Sequence, residues 1–306
     1  MATACLALKV RGVTAHSTRY IDGMEARVET GVDAAGAERL AGWLAARSRV
    51  TVITGAGVST ESGIPDYRDG DGNWKRSPPV QYRDFVENQA VRRRYWARSF
   101  AGWPMFAAAR PSAAHTALAQ LEQTRPVAQI VTQNVDRLHQ RAGSRNVLDL
   151  HGRLDVVRCL ALDHRFDRDA FQIRLREANP GWDASPARIA PDGDADLEGL
   201  DFSTFNVPAC EICGGVLKPD VVFYGESVPR GTTAAALAAV ESADGVLVVG
   251  SSLMVWSSFR LVRAAAARGI PAVAVNRGRT RADDLFAFKL EGECGAVLRQ
   301  VVDGVR

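Results

Sequence analysis

The chain is short of several things, and each shortage excludes something. No stretch of its 306 residues reaches the eighteen or so uncharged apolar positions that a membrane-spanning helix needs. Neither sign of charge dominates: 38 Lys and Arg against 35 Asp and Glu leave a net +3. That is too slight to argue for nucleic acid or an acidic membrane surface as partner. Lysine is scarce, confined to Lys9, Lys75, Lys218 and Lys289. Arginine carries the remaining basic charge, which points to a GC-rich genome rather than to a function. Cysteine is sparse and odd in number (Cys5, Cys159, Cys210, Cys213 and Cys294), which argues against a disulfide scaffold. What the chain does have is 46% hydrophobic residues, too many for a disordered chain and enough for a large core with a second, smaller domain.

Residues 1–30 lack periodicity and read as a poorly ordered extension. Lys9, Arg11 and Arg19 without an acid in the first twenty residues suggest a transit peptide, and a true start at Met24 is the plainer alternative; a dispensable extension is expected. Beyond it the pattern alternates. A helix over Ala34–Ala46 leads to the apolar run Val50–Ile53, and helices follow around Asp84–Phe100 and Ala113–Gln123. Further short apolar runs fall at Ala128–Val131, Gly245–Gly250 and Ala272–Asn276, with an Ala-rich helix over Ser257–Arg268 between the last two. Buried strands separated by helices predict an α/β fold: a Rossmann-like, doubly wound parallel sheet, with ligands at the carboxyl ends of its strands. Between residues 155 and 219 the alternation stops, and a polar Pro/Gly/Asp-rich stretch lies between Cys159 and the pair Cys210–Cys213. This segment is expected to be a small zinc-ribbon-type module with a long loop, inserted into a sheet domain spanning 31–154 and 220–306.

Gly55-Ala56-Gly57 directly after the first strand suits a loop whose backbone approaches a pyrophosphate, although a tight structural turn would look the same. The third glycine of the dinucleotide fingerprint is missing, since Thr60 stands there, and no acid ends a second strand some twenty residues on. Both absences disfavour a hydride-transferring dehydrogenase. The longer string decides the matter. Thr54–Ser59 with Ser62–Arg68 closely resembles the NAD-binding loop of the sirtuins, and further blocks agree in the family's order: Thr132–His139, Leu150–Gly152, Lys218–Glu226, Gly250–Leu253 and Val275–Gly278. Arg94–Arg98, Gly102–Pro104 and Ala190–Asp194 resemble the family's class II branch.

The resemblance implies an NAD-dependent protein lysine deacylase that releases nicotinamide and passes an acyl group to ADP-ribose. By it, Gly55, Ala56 and Gly57 approach the phosphates and Gly250, Ser251 and Ser252 support the cofactor from another strand end. Ser59, Pro65, Tyr67 and Arg68 belong to the same cofactor loop, Asp66 meets the nicotinamide carboxamide, and Ile64 shapes that pocket. Gln133, Asn134 and Asp136 line the ribose, Asn134 and Asp136 also counting as catalytic, while Asn276, Arg277, Gly278 and Cys294 flank the adenosine end. His151 is the implied general base; taken alone it would read as a satisfied core or capping histidine. His139, beside a matching block, reads as helix structure. Val221, Val222, Phe223 and Tyr224 would pair with the substrate backbone, where the plainer reading is a core strand. Arg92–Arg94 reads as a solvated helix face, and the acidic 192–198 stretch as a solvated loop.

The family's structural zinc needs two Cys-x-x-Cys pairs. Cys210 and Cys213 form one; Cys159 opens the other, but Leu162 stands at its partner position and leucine cannot ligate. His164 or Asp163 could complete the site, or the zinc could be lost; zinc on Cys159, Cys210 and Cys213 is expected. Two alternative functions remain: a protein mono-ADP-ribosyltransferase, and a non-catalytic NAD or ADP-ribose-binding protein. The expected partners are acyl-lysine proteins or peptides, not nucleic acid or membrane, and the expected setting is a bacterial cytoplasm.

Overall fold

The computed structural model describes residues 34–305 apart from 72, 76–78, 125, 183–192, 196, 198 and 199. The extension over 1–30, Cys5 and most of the Ala190–Asp194 block lie outside the described residues.

The first half of the main sheet is built from α1 (Ala34–Ala45), β1 (Val50–Thr54), α2 (Tyr82–Glu87), α3 (Gln89–Ala108), α4 (Ala113–Thr124), β2 (Val127–Thr132), α5 (Leu138–Arg141) and β3 (Val147–Asp149). A smaller unit follows with β4 (Gly152–Cys159), β5 (Arg165–Asp167), α6 (Arg168–Ala178) and β6 (Leu217–Val221). The chain then returns through α7 (Arg230–Glu241), β7 (Gly245–Val249), α8 (Trp256–Ala267), β8 (Ala272–Val275), β9 (Phe286–Leu290) and α9 (Cys294–Val305).

Strand order in the main sheet is β3-β2-β1-β7-β8-β9, and every pairing is parallel. Because both faces of such a sheet are covered, its central strands are mostly apolar, and β1, β7 and β8 are buried at every position, Thr51 and Thr54 of β1 with their hydroxyls hydrogen-bonded. One face packs against α1, α4 and α9 through Leu40, Leu44, Leu118, Leu121, Leu298 and Val301. The other packs against α7 and α8 through Ala236, Val240, Leu261 and Val262. The chain winds outward from β1 in one direction and from β7 in the other, so the order reverses between these two neighbours. That reversal opens a crevice beyond their carboxyl ends.

The second sheet is antiparallel, β5-β4-β6, and backs onto an aromatic core of Phe85, Tyr95, Trp96, Phe171 and Phe205. Two expectations change here. The helix expected over Asp84–Phe100 is two helices, because extended Asn88 stops α2 and its side chain accepts the amide protons of Ala90 and Val91, capping α3. The apolar run Val221–Tyr224 is a strand only at Val221; its later residues turn away to pack on aromatic rings.

Candidate functional site

Beyond the carboxyl ends of the main strands lies a cavity of about 1050 Å³. It is walled by Gly55–Gly57 after β1, Gln133–Asp136 after β2, His151 after β3, Gly250–Ser257 after β7, and Asn276 and Arg277 after β8. Ser59, Ile64, Asp66, Tyr67, Arg68, Val221–Tyr224 and Cys294 complete the walls named from the sequence. Pro65 and Gly278 are not among the lining residues. Gly278 is turned inward: its amide donates to Glu291 Oε2 and its carbonyl accepts from Asn276 and Lys289.

The floor is formed by two loops that meet backbone to backbone. The Gly57 amide donates to the Gly250 carbonyl at 2.9 Å. A Cβ on Gly57 would come within 2.8 Å of Gly250 Cα, and one on Gly55 within 2.8 Å of Ser251 Cβ. Gly250 itself sits at φ 59°. Side chains at these positions would push the loops apart, so glycine is what lets the two backbones meet at the cavity floor.

A hydrogen-bonded cluster stands above this floor. Ser59 Oγ donates to Asp136 Oδ2 at 2.7 Å and accepts from Asn134 Nδ2 at 2.9 Å. Gln133 Nε2 bridges the Thr54 carbonyl and Ser251 Oγ. Arg137 holds a left-handed φ of 64°, anchored by ion pairs to Asp149 and Asp155. This bend lets Asp136 face Ser59 while its other oxygen accepts the Leu138 amide. Asp66 pairs with Lys75 on the adjoining loop.

His151 has a defined tautomer. Its Nδ1 lies 3.2 Å from the Gln133 carbonyl, which can only accept, so Nδ1 carries the proton. Nε2 is left as the basic nitrogen, 2.7 Å from Ser257 Oγ. Burial pushes this imidazole down to about 4, opposed in part by the Gln133 hydrogen bond. The His151 carbonyl also accepts the Val222 amide at 2.8 Å, which links His151 to the segment after β6. That segment is pinned by a buried ion pair. Lys218 meets Glu226 at 3.1 Å and donates to the Val221 carbonyl, while Glu226 accepts the Phe223 amide. Ser257, Lys218 and Glu226 carried no distinguishing signal as a site in the sequence, although the last two ended a matching block.

His139 packs on His115 behind the site, ring centres 4.6 Å apart, both buried. Burial pushes His115 down to about 4 and His139 well below the usual histidine range. The unfolded chain therefore binds protons that the folded one refuses. Stability is full above pH ~6.5 and falls as pH drops from there toward 4, by about 3 kcal/mol for His115 alone. The melting temperature is expected to be level between pH 7 and 8 and lower by about 5 °C or more at pH 5. A melting temperature unchanged between pH 7 and 5 would contradict the burial of these neutral rings.

In the second sheet, Cys159, His164, Cys210 and Cys213 bring their ligand atoms within 4.8 Å of one another. Cys159 Sγ is 3.4 Å from Cys213 Sγ, and His164 Nδ1 is 3.4 Å from Cys210 Sγ. A zinc tetrahedron with ~2.3 Å arms has edges of about 3.8 Å, so three sulfurs and one imidazole at this spacing fit a structural zinc. Asp163 is drawn off by Arg158 and Arg165, and Leu162 is 66% exposed.

A model of the Sir2 family matches residues 55–257. An NAD-dependent protein deacetylase of Bordetella bronchiseptica is 59% identical over 265 residues, covering 87% of this chain and 97% of that protein. The NAD-dependent protein deacylase Sirt4 of Drosophila melanogaster is 48% identical over 269 residues, 87% of this chain and 86% of that protein. A solved structure described as "Structural Basis for the Mechanism and Regulation of Sir2 Enzymes" superposes with a TM-score of 0.70 at 34% identity, over 88% of this chain and 97% of the other. Another, "Sir2-p53 peptide-NAD+", has a TM-score of 0.70 at 29% identity, over 87% and 96%.

Proposed function

From the premise that the chain belongs to the Sir2 family and is an NAD-dependent protein deacylase, we propose how its cavity divides that work. The floor of Gly55, Gly57 and Gly250, where two loops touch too closely to admit a Cβ, suits the diphosphate of NAD, and the volume suits a dinucleotide. Ser59, Asn134, Asp136 and Gln133 hold the ribose next to the nicotinamide, Asp66 and Ile64 form the nicotinamide end, and Asn276, Arg277 and Cys294 the adenosine end. NAD supplies the ribosyl carbon that accepts the acyl oxygen as nicotinamide leaves.

The single observation carrying the base assignment is the His151 tautomer. Nδ1–H is committed to the Gln133 carbonyl, so Nε2 faces the cavity as an acceptor, neutral at pH 7 because burial disfavours the charged ring. Ser257 Oγ donates to it and keeps the ring turned inward. The Ser59–Asp136 hydrogen bond holds a carboxylate toward the region where positive charge develops. Val221–Tyr224, pinned by Lys218 and Glu226, forms one wall of the acyl-lysine groove. Cys159, His164, Cys210 and Cys213 would hold a structural zinc, which would brace this unit and supply no chemistry to the reaction.

Protein or peptide acyl-lysine is the substrate class. We place the protein in the bacterial cytoplasm, supported by its bacterial relatives and by thiols that must stay reduced to bind zinc. The class II placement rests on Arg94–Arg98 and Gly102–Pro104, all within α3. The test supplies NAD with acyl-lysine peptides. Nicotinamide release that depends on the acyl group and yields O-acyl-ADP-ribose is expected. Labelled ADP-ribose left on protein without deacylation would instead indicate a mono-ADP-ribosyltransferase, and tight nucleotide binding with no turnover a sensor.

A further inference from the structure

The cavity has an electropositive wall that the cofactor assignments do not use. Arg230 and Thr233 of α7, with Arg260 of α8, line it on the side of Ser257 and His151. Helices α7 and α8 pack together beneath them. Arg260 Nε is buried without a hydrogen-bond partner. Trp256, 49% exposed at the start of α8, also lines the cavity. Spacings of four and seven residues put Trp256, Arg260 and Arg263 on one helix face. The guanidinium groups of Arg263 and Arg281 both lie 5.5 Å from the Trp256 ring centre, and Arg281 donates to the Met254 carbonyl.

Among the described residues, none of these four arginines has a carboxylate within ion-pair distance, whereas Arg137, Arg153, Arg158, Arg165 and Arg268 all do. With a whole-chain charge of only +3, two unneutralised guanidinium groups beside one exposed tryptophan, and two more on the cavity wall at Arg230 and Arg260, make a local field of one sign. Glu226, an acid lining the same cavity, is committed to Lys218. The cofactor's phosphates have other cations to meet, since Arg68, Arg277 and Arg279 also line the cavity.

We infer that Arg230 and Arg260 on the cavity wall, with Arg263 and Arg281 beside Trp256, dock an acidic segment flanking the acyl-lysine of the protein substrate. The inference rests on the deacylase reading and adds a sequence preference to it. The Tyr224–Val228 stretch runs directly into Arg230 and lines the same cavity as Trp256 and Arg260, so a peptide laid along that stretch would bring its flanking side chains to the arginines. Aspartate and glutamate complement them, and Trp256 offers an aromatic surface between them.

The test uses three fluorescent acetyl-lysine peptides with Asp/Glu, Ser/Gly or Lys/Arg flanks, bound to the full chain with ADP-ribose and followed by anisotropy. The acidic peptide is expected to bind about tenfold more tightly than the neutral one near 50 mM salt, with the ratio falling toward ~2 at 0.5 M. In the Arg230→Gln/Arg263→Gln double variant the low-salt ratio is expected to drop to ~2. Equal binding of all three peptides overturns the inference. So does tighter binding of duplex DNA than of the acidic peptide, or a gain from an acidic acyl group on the neutral peptide with none from acidic flanks. Nicotinamide release with the neutral peptide reports separately on the deacylase reading.

Discussion

His151→Ala is expected to lower kcat for acyl-dependent nicotinamide release by about a thousandfold while ADP-ribose still binds. A positioned general base contributes typically ~10²–10⁴ in rate, and here no second group offers an equivalent lone pair at the same place. The neighbouring Ser257 hydroxyl is a poor base, and Asp136 is engaged by Ser59 and the Leu138 amide. The same geometry sets the pH response. Nε2 must be neutral to accept a proton, and burial holds the free enzyme's imidazole down to about 4. The acid limb of kcat/KM attributable to His151 should therefore fall well below pH 6, where an exposed histidine would already be mostly charged. The checks are steady-state kinetics from pH 5 to 9 and calorimetric titration with ADP-ribose. A His151→Ala enzyme with wild-type turnover removes the base assignment; one that no longer binds ADP-ribose shows that the ring's role is structural.

The second large effect concerns the metal. The purified chain is expected to carry about one zinc, and His164→Ala to lose it, with a melting temperature lower by about 10 °C or more. Structural zinc is worth about 10–16 kcal/mol of folding free energy in small domains, so a missing ligand is felt throughout the β4–β6 sheet. Leu162→Ala is the contrast. At 66% exposure that side chain touches little, and its loss should leave both zinc and stability within about 0.5 kcal/mol of the parent. Elemental analysis with thermal denaturation, before and after a chelator, checks both. Full zinc retention in His164→Ala would return the fourth position to Asp163 or to water.

Much of this site could be read from the residue string because its parts sit at the ends of apolar runs. Val50–Thr54, Gly245–Val249 and Ala272–Val275 are buried on both faces, so hydrophobicity alone marked them, and their polar termini became cavity walls. Val222–Tyr224 is equally apolar but satisfies its backbone differently: the Val222 amide goes to His151 and the Phe223 amide to Glu226. An apolar run specifies burial, not a ladder. Asn88 was silent because its capping role depends on which backbone amides follow it in space. Ser257 resembles any serine that opens an Ala-rich helix, and only the turn after β7 brings it to the imidazole. For the metal, spacing left His164 and Asp163 open, and the ion pairs of Asp163 with Arg158 and Arg165 separate them.

The contact between Gly57 and Gly250 joins loops from opposite halves of the chain, with the whole cysteine-bearing unit between them. Closing that junction requires β1 and β7 to be paired, and hence a sequence separation that makes folding slow. Competence thus requires both halves of the sheet to be in place. A nascent or clipped chain that already holds β1, β2 and their helices has half a phosphate cradle, and enzymatic activity serves as a reporter of completed folding.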